Sequence, residues 1–177
     1  MGKIKIATSW LDGCSGCHMS LLDMDERILS FLEYADIVYG PLVDFKNFPD
    51  NVDVAIVEGA VSSDEDEEKI ILIRNRTKTL VSLGDCAITA NISGMRNYYP
   101  TKELFERAYF ENADLNQKTP NIRIPHLLSN ARPIHEVVTV DVFLPGCPPP
   151  TDVIYYTISE LLQGRRPDLT GKTRFGQ

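Results

Sequence analysis

The stretch VVTVDVFLPGCP at residues 137–148 joins an apolar run to a cysteine through a proline and a glycine. Its first eight residues are rich in β-branched side chains, which favours a β-strand over residues 137–144. Pro145 and Gly146 are strong breakers, so we expect the strand to end there. Cys147 then lies in the loop directly beyond the strand, which is where open α/β sheets bind their ligands.

Two further stretches repeat this arrangement of strand, glycine and cysteine. Residues 79–83 are followed by Gly84-Asp85-Cys86, and residues 3–8 lead into a loop that contains Gly13-Cys14-Ser15-Gly16-Cys17. In an open α/β sheet, the carboxyl ends of parallel strands meet at one crevice. If these strands run parallel in one sheet, all four cysteine thiols meet in that crevice.

The rest of the pattern is typical of a parallel sheet covered by helices, because short apolar runs alternate with longer helical segments. We expect residues 1–177 to form a single α/β domain, since the length is that of one domain. Further strands are predicted at residues 37–39 and 52–57, and helices at residues 17–33, 62–76, 101–110 and 149–163. The expected core stripe of the first helix is Met19, Leu22, Ile28, Leu29 and Leu32.

Residues 112–132 contain no clear helix or strand pattern. An irregular segment of this length is uncommon inside a compact domain, so we expect it to bind a partner. The basic tail after Gly164 is expected either to extend over a partner or to fray.

Composition and charge indicate which partners and which cellular compartment to expect. The formal net charge is -7, so there is no basic surplus to neutralise nucleic-acid phosphates, and we expect no nucleic-acid partner. No apolar run approaches the ~20 residues that span a bilayer, and the N-terminus enters a strand pattern at once. We therefore expect no membrane partner and a cytoplasmic location. In that reducing compartment, four cysteines favour metal or redox chemistry over disulfides.

The cysteines and their neighbouring glycines favour an iron–sulfur cluster. Glycine, as at Gly16 and Gly146, lets the backbone turn tightly and bring N–H groups close to a bulky inorganic ligand. A structural zinc site usually has two short Cys-x-x-Cys pairs, whereas only Cys14 and Cys17 form one here. A thioredoxin-like dithiol would leave the other two cysteines without a role. A cluster bound by four thiolates uses all four, and a zinc-binding structural protein remains the alternative.

Several segments resemble the small subunit of NiFe hydrogenases and, more distantly, the cluster-bearing small subunit of respiratory complex I. They are Cys14-Ser15-Gly16-Cys17, VEGAV at residues 57–61, Gly84-Asp85-Cys86-Ala87, PIHEVV at residues 133–138 and LPGCPP at residues 144–149. The resemblance covers nearly the whole chain. It implies a flavodoxin-like, doubly wound and mainly parallel sheet with cluster-binding loops at the carboxyl ends of its strands. It also implies one 4Fe-4S cluster held by Cys14, Cys17, Cys86 and Cys147, beside the Ni-Fe centre of a large partner subunit.

The first cysteine motif distinguishes between subfamilies of these small subunits. Complex I subunits carry adjacent cysteines, where this chain has two intervening residues. The segment from Cys14 to Asp23 resembles the soluble bidirectional, NAD-reducing hydrogenases, whose electrons leave through the iron–sulfur and flavin subunits of a diaphorase. We expect those subunits as further partners. The resemblance also covers the equivalent subunit of quinone- or ferredoxin-linked oxidoreductases, so that alternative stays open.

The resemblance also bears on what else the chain carries. Membrane-bound and periplasmic small subunits add a domain for two more clusters and a twin-arginine leader, which we do not expect here. Flavodoxin-like folds can bind FMN, but the cluster motif occupies the position of the phosphate-binding loop. We therefore expect no FMN in this chain. All four cysteines are used by the cluster, so we expect the chain to belong to a hydrogenase without being catalytic alone.

Three polar residues near the cysteines have more than one interpretation. Glu58 ends a strand beside the crevice, where it would orient groups at the interface or lie on a proton path, or would simply be a solvated carboxylate or a helix cap. His18 would tune the cluster through a hydrogen bond, or would be a surface residue that contacts a partner. Asp85 is expected to cap a turn.

Overall fold

The computed structural model describes residues 2–176, and its centre is a five-stranded sheet in which all neighbouring strands are parallel. The strands are β1 (Ile4–Trp10), β2 (Ala35–Tyr39), β3 (Val52–Glu58), β4 (Val61–Ser63), β5 (Thr77–Leu83), β6 (Leu127–Arg132) and β7 (Val142–Leu144). The order across the main sheet is β2-β1-β3-β5-β7, while β4 and β6 form a separate antiparallel pair. Counted along the chain, the main sheet has the 2-1-3-4-5 order of flavodoxin-like folds. The expected α/β, flavodoxin-like fold is confirmed.

Seven α-helices flank the parallel sheet in the described residues. They are α1 (Gly16–Leu22), α2 (Arg27–Leu32), α3 (Asp64–Asn75), α4 (Gly84–Thr89), α5 (Asn91–Gly94), α6 (Thr101–Glu106) and α7 (Thr151–Leu162). Short 3₁₀ turns lie at Met95–Tyr98 and Ile134–Glu136, and a π turn at Arg107–Glu111 continues α6. Within residues 2–176, no helix is long and apolar enough to cross a lipid bilayer.

Both faces of the sheet are buried. Successive residues of a strand point to opposite faces, and neighbouring residues of β1 and β3 belong to two different buried clusters. Ile6 and Ile56 belong to a buried cluster that includes residues of α2 and α7. Their neighbours Ala7 and Ala55 belong to a second cluster, which includes residues of α3 and α4. The sheet is therefore covered on both sides, as a doubly wound fold requires.

The start of α3 follows from its acidic sequence. The Ser63 hydroxyl accepts a hydrogen bond from Asp66 N at 3.2 Å, and Ser63 N donates to the Asp66 carboxylate at 3.0 Å. These two reciprocal hydrogen bonds form a capping box. The carboxylates of the first turn also lie at the positive end of the helix dipole.

The helix predicted at residues 17–33 is wrong in two respects. The structure divides it into α1 and α2, because Asp25 adopts a left-handed φ of 50°, which a continuous helix does not allow. Four residues of the expected core stripe are exposed: Met19, Leu22, Leu29 and Leu32. Met24 and Phe31 are buried in the core instead.

The strand predicted at residues 137–144 is too long, because only its last three residues form β7. Asp141 marks the beginning of the pairing with β5. Its N–H donates to Leu80 O at 3.0 Å, and its carboxylate accepts from Leu80 N at 2.7 Å. Arg74 donates to the same carboxylate at 2.6 Å. At this position the Asp141 side chain accepts the hydrogen bond of Leu80 N that a backbone carbonyl would otherwise accept, and β7 begins one residue later, at Val142.

Two segments expected to lie on a partner contact the chain itself. Residues 127–132 form β6 and pair with β4, with Val61 opposite Arg132. The tail after Gly164 returns to the carboxyl edge of the sheet, where Thr173 Oγ1 donates to Pro145 O at 2.5 Å. The expectation of a frayed tail is therefore wrong for its described residues, which end at residue 176, whereas the expectation that the tail contacts a partner stays a prediction.

Candidate iron–sulfur site

One pocket at the carboxyl edge of the sheet is lined by all four cysteines. Cys14 lies in the loop after β1, Cys17 in the first turn of α1, Cys86 in the first turn of α4, and Cys147 in the loop between β7 and α7. None of them forms a disulfide. The strand-end positions therefore bring the four thiols together, as the sequence predicts.

The strand β3 lies between β1 and β5, so the cysteine-bearing strands are not all direct neighbours. The end of β3 inserts Glu58 and Gly59 into the wall of the pocket. Of the other expected residues, Gly16 and Gly146 also line it, whereas His18 lies behind the wall. The pocket therefore joins loops from four strands rather than three.

The lining of the pocket suits a polynuclear group, because four thiols from separate loops face one space. Within residues 2–176, no three His, Cys, Asp or Glu side chains form a group that could hold a single metal ion. A tetrahedral zinc site requires four sulfurs at ~2.3 Å from one point, whereas a 4Fe-4S cluster is bound by one thiolate at each iron. The donor set therefore fits such a cluster.

Glycine is required where the cysteine loops approach one another. Gly84 has φ +82°, and a Cβ at this position would overlap Cys17 Sγ. A Cβ on Gly16 would lie 3.3 Å from Cys14 Sγ. Any side chain at Gly84 would thus occupy the space of the Cys17 sulfur, which is the physical reason for glycine at this position.

Hydrogen-bond donors reach two of the sulfurs. Asn91 Nδ2 lies 3.6 Å from Cys147 Sγ, and the backbone N–H of Ile92 donates to Cys86. Such donors are one means by which a protein sets the potential of a cluster. No sequence signal marks Asn91, because its position depends on the left-handed backbone at Ala90, with φ 61°.

Glu58 and His18 form a buried pair beside Cys17. Glu58 is 3% exposed and His18 is 7% exposed. His18 N donates to Glu58 Oε2 at 3.0 Å, and His18 Nδ1 lies 3.1 Å from Glu58 Oε1, although without good hydrogen-bond alignment. The Trp10 and His18 rings pack in a T-shaped arrangement, with ring centroids 5.6 Å apart. The interpretations of Glu58 as a solvated carboxylate and of His18 as a surface residue are therefore wrong.

The environment disfavours free thiolates when no metal is bound. Burial raises the pKa of Cys17 far above its ordinary value, and the neighbouring Glu58 carboxylate raises it further. Burial also raises the pKa of Cys86, and the nearby Cys14 and Cys147 add to this effect. Metal ligands must be deprotonated, so binding of a cluster by these residues has to release protons.

Comparison with known proteins places this geometry in a family. Residues 14–161 match the family model of the NADH ubiquinone oxidoreductase 20 Kd subunit. The chain is 39% identical over 173 residues to the NAD-reducing hydrogenase HoxS subunit delta of Cupriavidus necator, with 95% of this chain and 83% of that protein covered. It is 38% identical over 173 residues to a subunit of the F420-non-reducing hydrogenase of Methanothermobacter marburgensis, with 94% and 56% covered.

Solved structures agree with these matches. A chain of the crystal structure of a NAD+-reducing NiFe-hydrogenase in the H2-reduced state superimposes with a TM-score of 0.94 at 37% identity, with 98% of this chain and 99% of that chain covered. The chain spans little more than half the length of the F420-non-reducing relatives. It thus belongs to the NADH ubiquinone oxidoreductase 20 Kd subunit family and, within it, to the hydrogenase small subunits.

Proposed function

We propose that this chain is the electron-transfer small subunit of a cytoplasmic NiFe hydrogenase and carries one 4Fe-4S cluster. Cys14, Cys17, Cys86 and Cys147 are its proposed ligands. The observation that carries the proposal is that all four cysteines line one pocket at the carboxyl edge of the sheet. In this proposal, residues 1–177 form a single iron–sulfur domain.

The chain's own residues give the pocket its chemistry. Four thiolates hold the group, and Gly84 leaves the space that it needs. Asn91 and the Ile92 N–H donate toward two of the sulfurs, which stabilises negative charge there. When bound, a 4Fe-4S cluster accepts and releases single electrons. Cys14 and Cys147 are exposed, so the mouth of the pocket is open to a docked partner.

The catalytic metal belongs to that partner in this proposal. The four cysteines of the sequence are all used by one cluster in this proposal, which leaves no cysteine for a Ni-Fe centre. The partner is the large subunit, which holds the Ni-Fe centre. Electrons pass from it through this chain to the iron–sulfur and flavin subunits of a diaphorase, and from there to NAD. The cluster motif after β1 stands where a flavin phosphate would bind, so FMN belongs to another subunit.

Similarity to a NAD-reducing relative and to a solved structure supports the NAD-reducing type. The chain is 39% identical to the HoxS delta subunit and superimposes with a TM-score of 0.94 on a chain of the NAD+-reducing hydrogenase structure. A second candidate is a small subunit that passes electrons to an acceptor other than NAD, such as ferredoxin or a quinone. The 38% identity to the F420-non-reducing relative favours it. Purified complex under H2, offered NAD+ or a low-potential acceptor, separates the two.

The test of the relay is Cys147→Ser in the complex. A serine oxygen replaces the soft thiolate that iron–sulfur centres favour, so the cluster is lost or incomplete. We expect H2-dependent NAD reduction to fall steeply while NADH-driven dye reduction by the diaphorase continues, which serves as the internal control. If both activities persisted in a variant shown to lack the cluster, the relay role would be wrong.

A further inference from the structure

Asp85 lies between two residues of the proposed site, Gly84 and Cys86, and the residue is almost completely buried at 5% exposure. Each carboxylate oxygen accepts one backbone hydrogen bond. Gly146 N donates to Oδ1 at 2.7 Å, and Gly176 N donates to Oδ2 at 2.7 Å. Both donors are distant in sequence, so Asp85 does more than cap a local turn.

The contact between Asp85 and Gly146 is reciprocal. Asp85 N donates to Gly146 O at 2.9 Å, while Gly146 N donates to the Asp85 carboxylate. Cys86 directly follows Asp85, and Cys147 directly follows Gly146. Two hydrogen bonds therefore join the backbones of two proposed ligand loops at the residues next to their sulfurs.

The described tail completes this arrangement. Gly176 N donates to the second oxygen of Asp85, and Thr173 Oγ1 donates to Pro145 O. Residues 173–176 thus contact both ligand loops, one through Asp85 and the other through Pro145. We call this set of contacts the Asp85 clamp.

We propose that Asp85 is a positioning residue, which holds the Cys86 and Cys147 loops at the separation that a cluster requires, and that the Gly176 N–H keeps its carboxylate in place. The inference rests on the proposed function, because it assumes that these cysteines bind a cluster. It adds a residue and a tail contact whose role lies outside the ligand set.

The chemistry requires a carboxylate at this position. An ionised Asp accepts on both oxygens, whereas an Asn of the same shape accepts on one and presents N–H groups on the other side. In Asp85→Asn, either Gly146 N or Gly176 N would face another donor. A buried N–H without an acceptor is costly, so the loops or the tail must move.

The experiment uses the full chain, purified anaerobically with its cluster, and measures the rate of iron release to a chelator and the midpoint potential of the cluster. We expect Asp85→Asn to release iron at least about tenfold faster, as for the loss of a hydrogen bond to a charged acceptor. We also expect the midpoint potential to rise, because a negative charge near the cluster is removed. The matched control is Asp36→Asn, which removes the same charge at the amino end of the exposed edge strand β2.

A second pair of variants tests the tail and does not depend on the folding of Asp85→Asn. Gly176→Pro removes the N–H donor, whereas Gly176→Ala keeps it. Gly176 has φ +70°, which alanine adopts only with strain and proline cannot adopt, so Gly176→Pro removes the contact through both the lost N–H and the changed φ. Faster iron release in Gly176→Pro than in Gly176→Ala supports the clamp.

The outcomes separate this inference from the proposed function. If the unmodified chain holds no iron, both are overturned. If it holds its cluster while Asp85→Asn releases iron at the unmodified rate with an unchanged potential, the clamp alone is wrong. Equal release from the two Gly176 variants overturns the role of the tail.

Discussion

Gly84→Ala tests whether the cysteine loops leave the space that the proposed cluster needs. Gly84 has φ +82°, and the added Cβ would overlap the sulfur of Cys17. The substitution therefore has two costs, one from the backbone conformation and one from the lost space. Only the second bears on the cluster.

The two costs can be estimated separately. A left-handed backbone costs an L-residue about 1–2 kcal/mol. Relief of the overlap with Cys17 Sγ adds about 1–3 kcal/mol, as for other overpacked sites. We expect the free energy of unfolding of the metal-free chain to fall by about 2–5 kcal/mol. Because the new methyl group and the sulfur compete for one place, we also expect a loss of bound iron.

Gly164→Ala is the matched control. Gly164 follows α7 with φ +69°, and a Cβ there meets nothing within 4 Å. It should show the backbone cost alone, which for a chain of this size is a fall in melting temperature of about 2–8 °C. Iron content and the electron paramagnetic resonance spectrum of the reduced protein are measured for both variants. Full iron content and an unchanged spectrum in Gly84→Ala would refute the close approach of Gly84 to Cys17.

Two further predictions concern the metal-free chain and the complex. In the metal-free chain, the raised pKa of Cys17 leaves little thiolate at pH 8, so we expect its alkylation, followed by mass spectrometry, to be slow and to accelerate as the pH rises. Glu58→Gln removes a nearby negative charge and should speed the reaction of Cys17 but not of Cys86; equal rates with and without the substitution would contradict this. Residues 113–126 should be cut by proteases in the isolated chain and protected in the complex, whereas residues 127–132 should resist in both because they form β6. Equal cleavage of residues 113–126 in both states would show that no partner covers them.

The sequence predicts the meeting of the four cysteines because the argument depends only on strand ends. Short apolar runs identify strands, and a breaker followed by Cys86 or Cys147 places each thiol beyond a strand. The parallel topology then brings the thiols to one edge. The strand bounds do not affect this conclusion, so it survives even though β7 is much shorter than expected.

The core face of the first helical region is harder to predict, because two apolar stripes share the same segment. The stripe containing Leu29 is exposed. The stripe that packs on the core is Leu21, Met24, Ile28 and Phe31, of which Met24 and Phe31 are buried and the other two partly buried; it also has a helical spacing of three and four residues. Periodicity alone does not choose between them. The choice depends on how the helices turn at Asp25 and pack on the sheet.

The surroundings of the site depend on long-range geometry that no local pattern contains. Glu58 is buried because β3 lies between β1 and β5, and this order is a property of the whole sheet. Asn91 reaches Cys147 across 56 positions of sequence. The clamp at Asp85 depends likewise on a tail that folds back over 91 positions. Such contacts become visible only when the chain is folded.

The most direct test of the central claim is the metal content of the anaerobically purified chain, together with its electron paramagnetic resonance spectrum after reduction. Four cysteines complete one four-thiolate cluster and no second one, so we expect about four irons and about four sulfides per chain, with the spectrum of a single reduced 4Fe-4S cluster. Stoichiometric zinc without iron, or enough iron for two clusters, would contradict it.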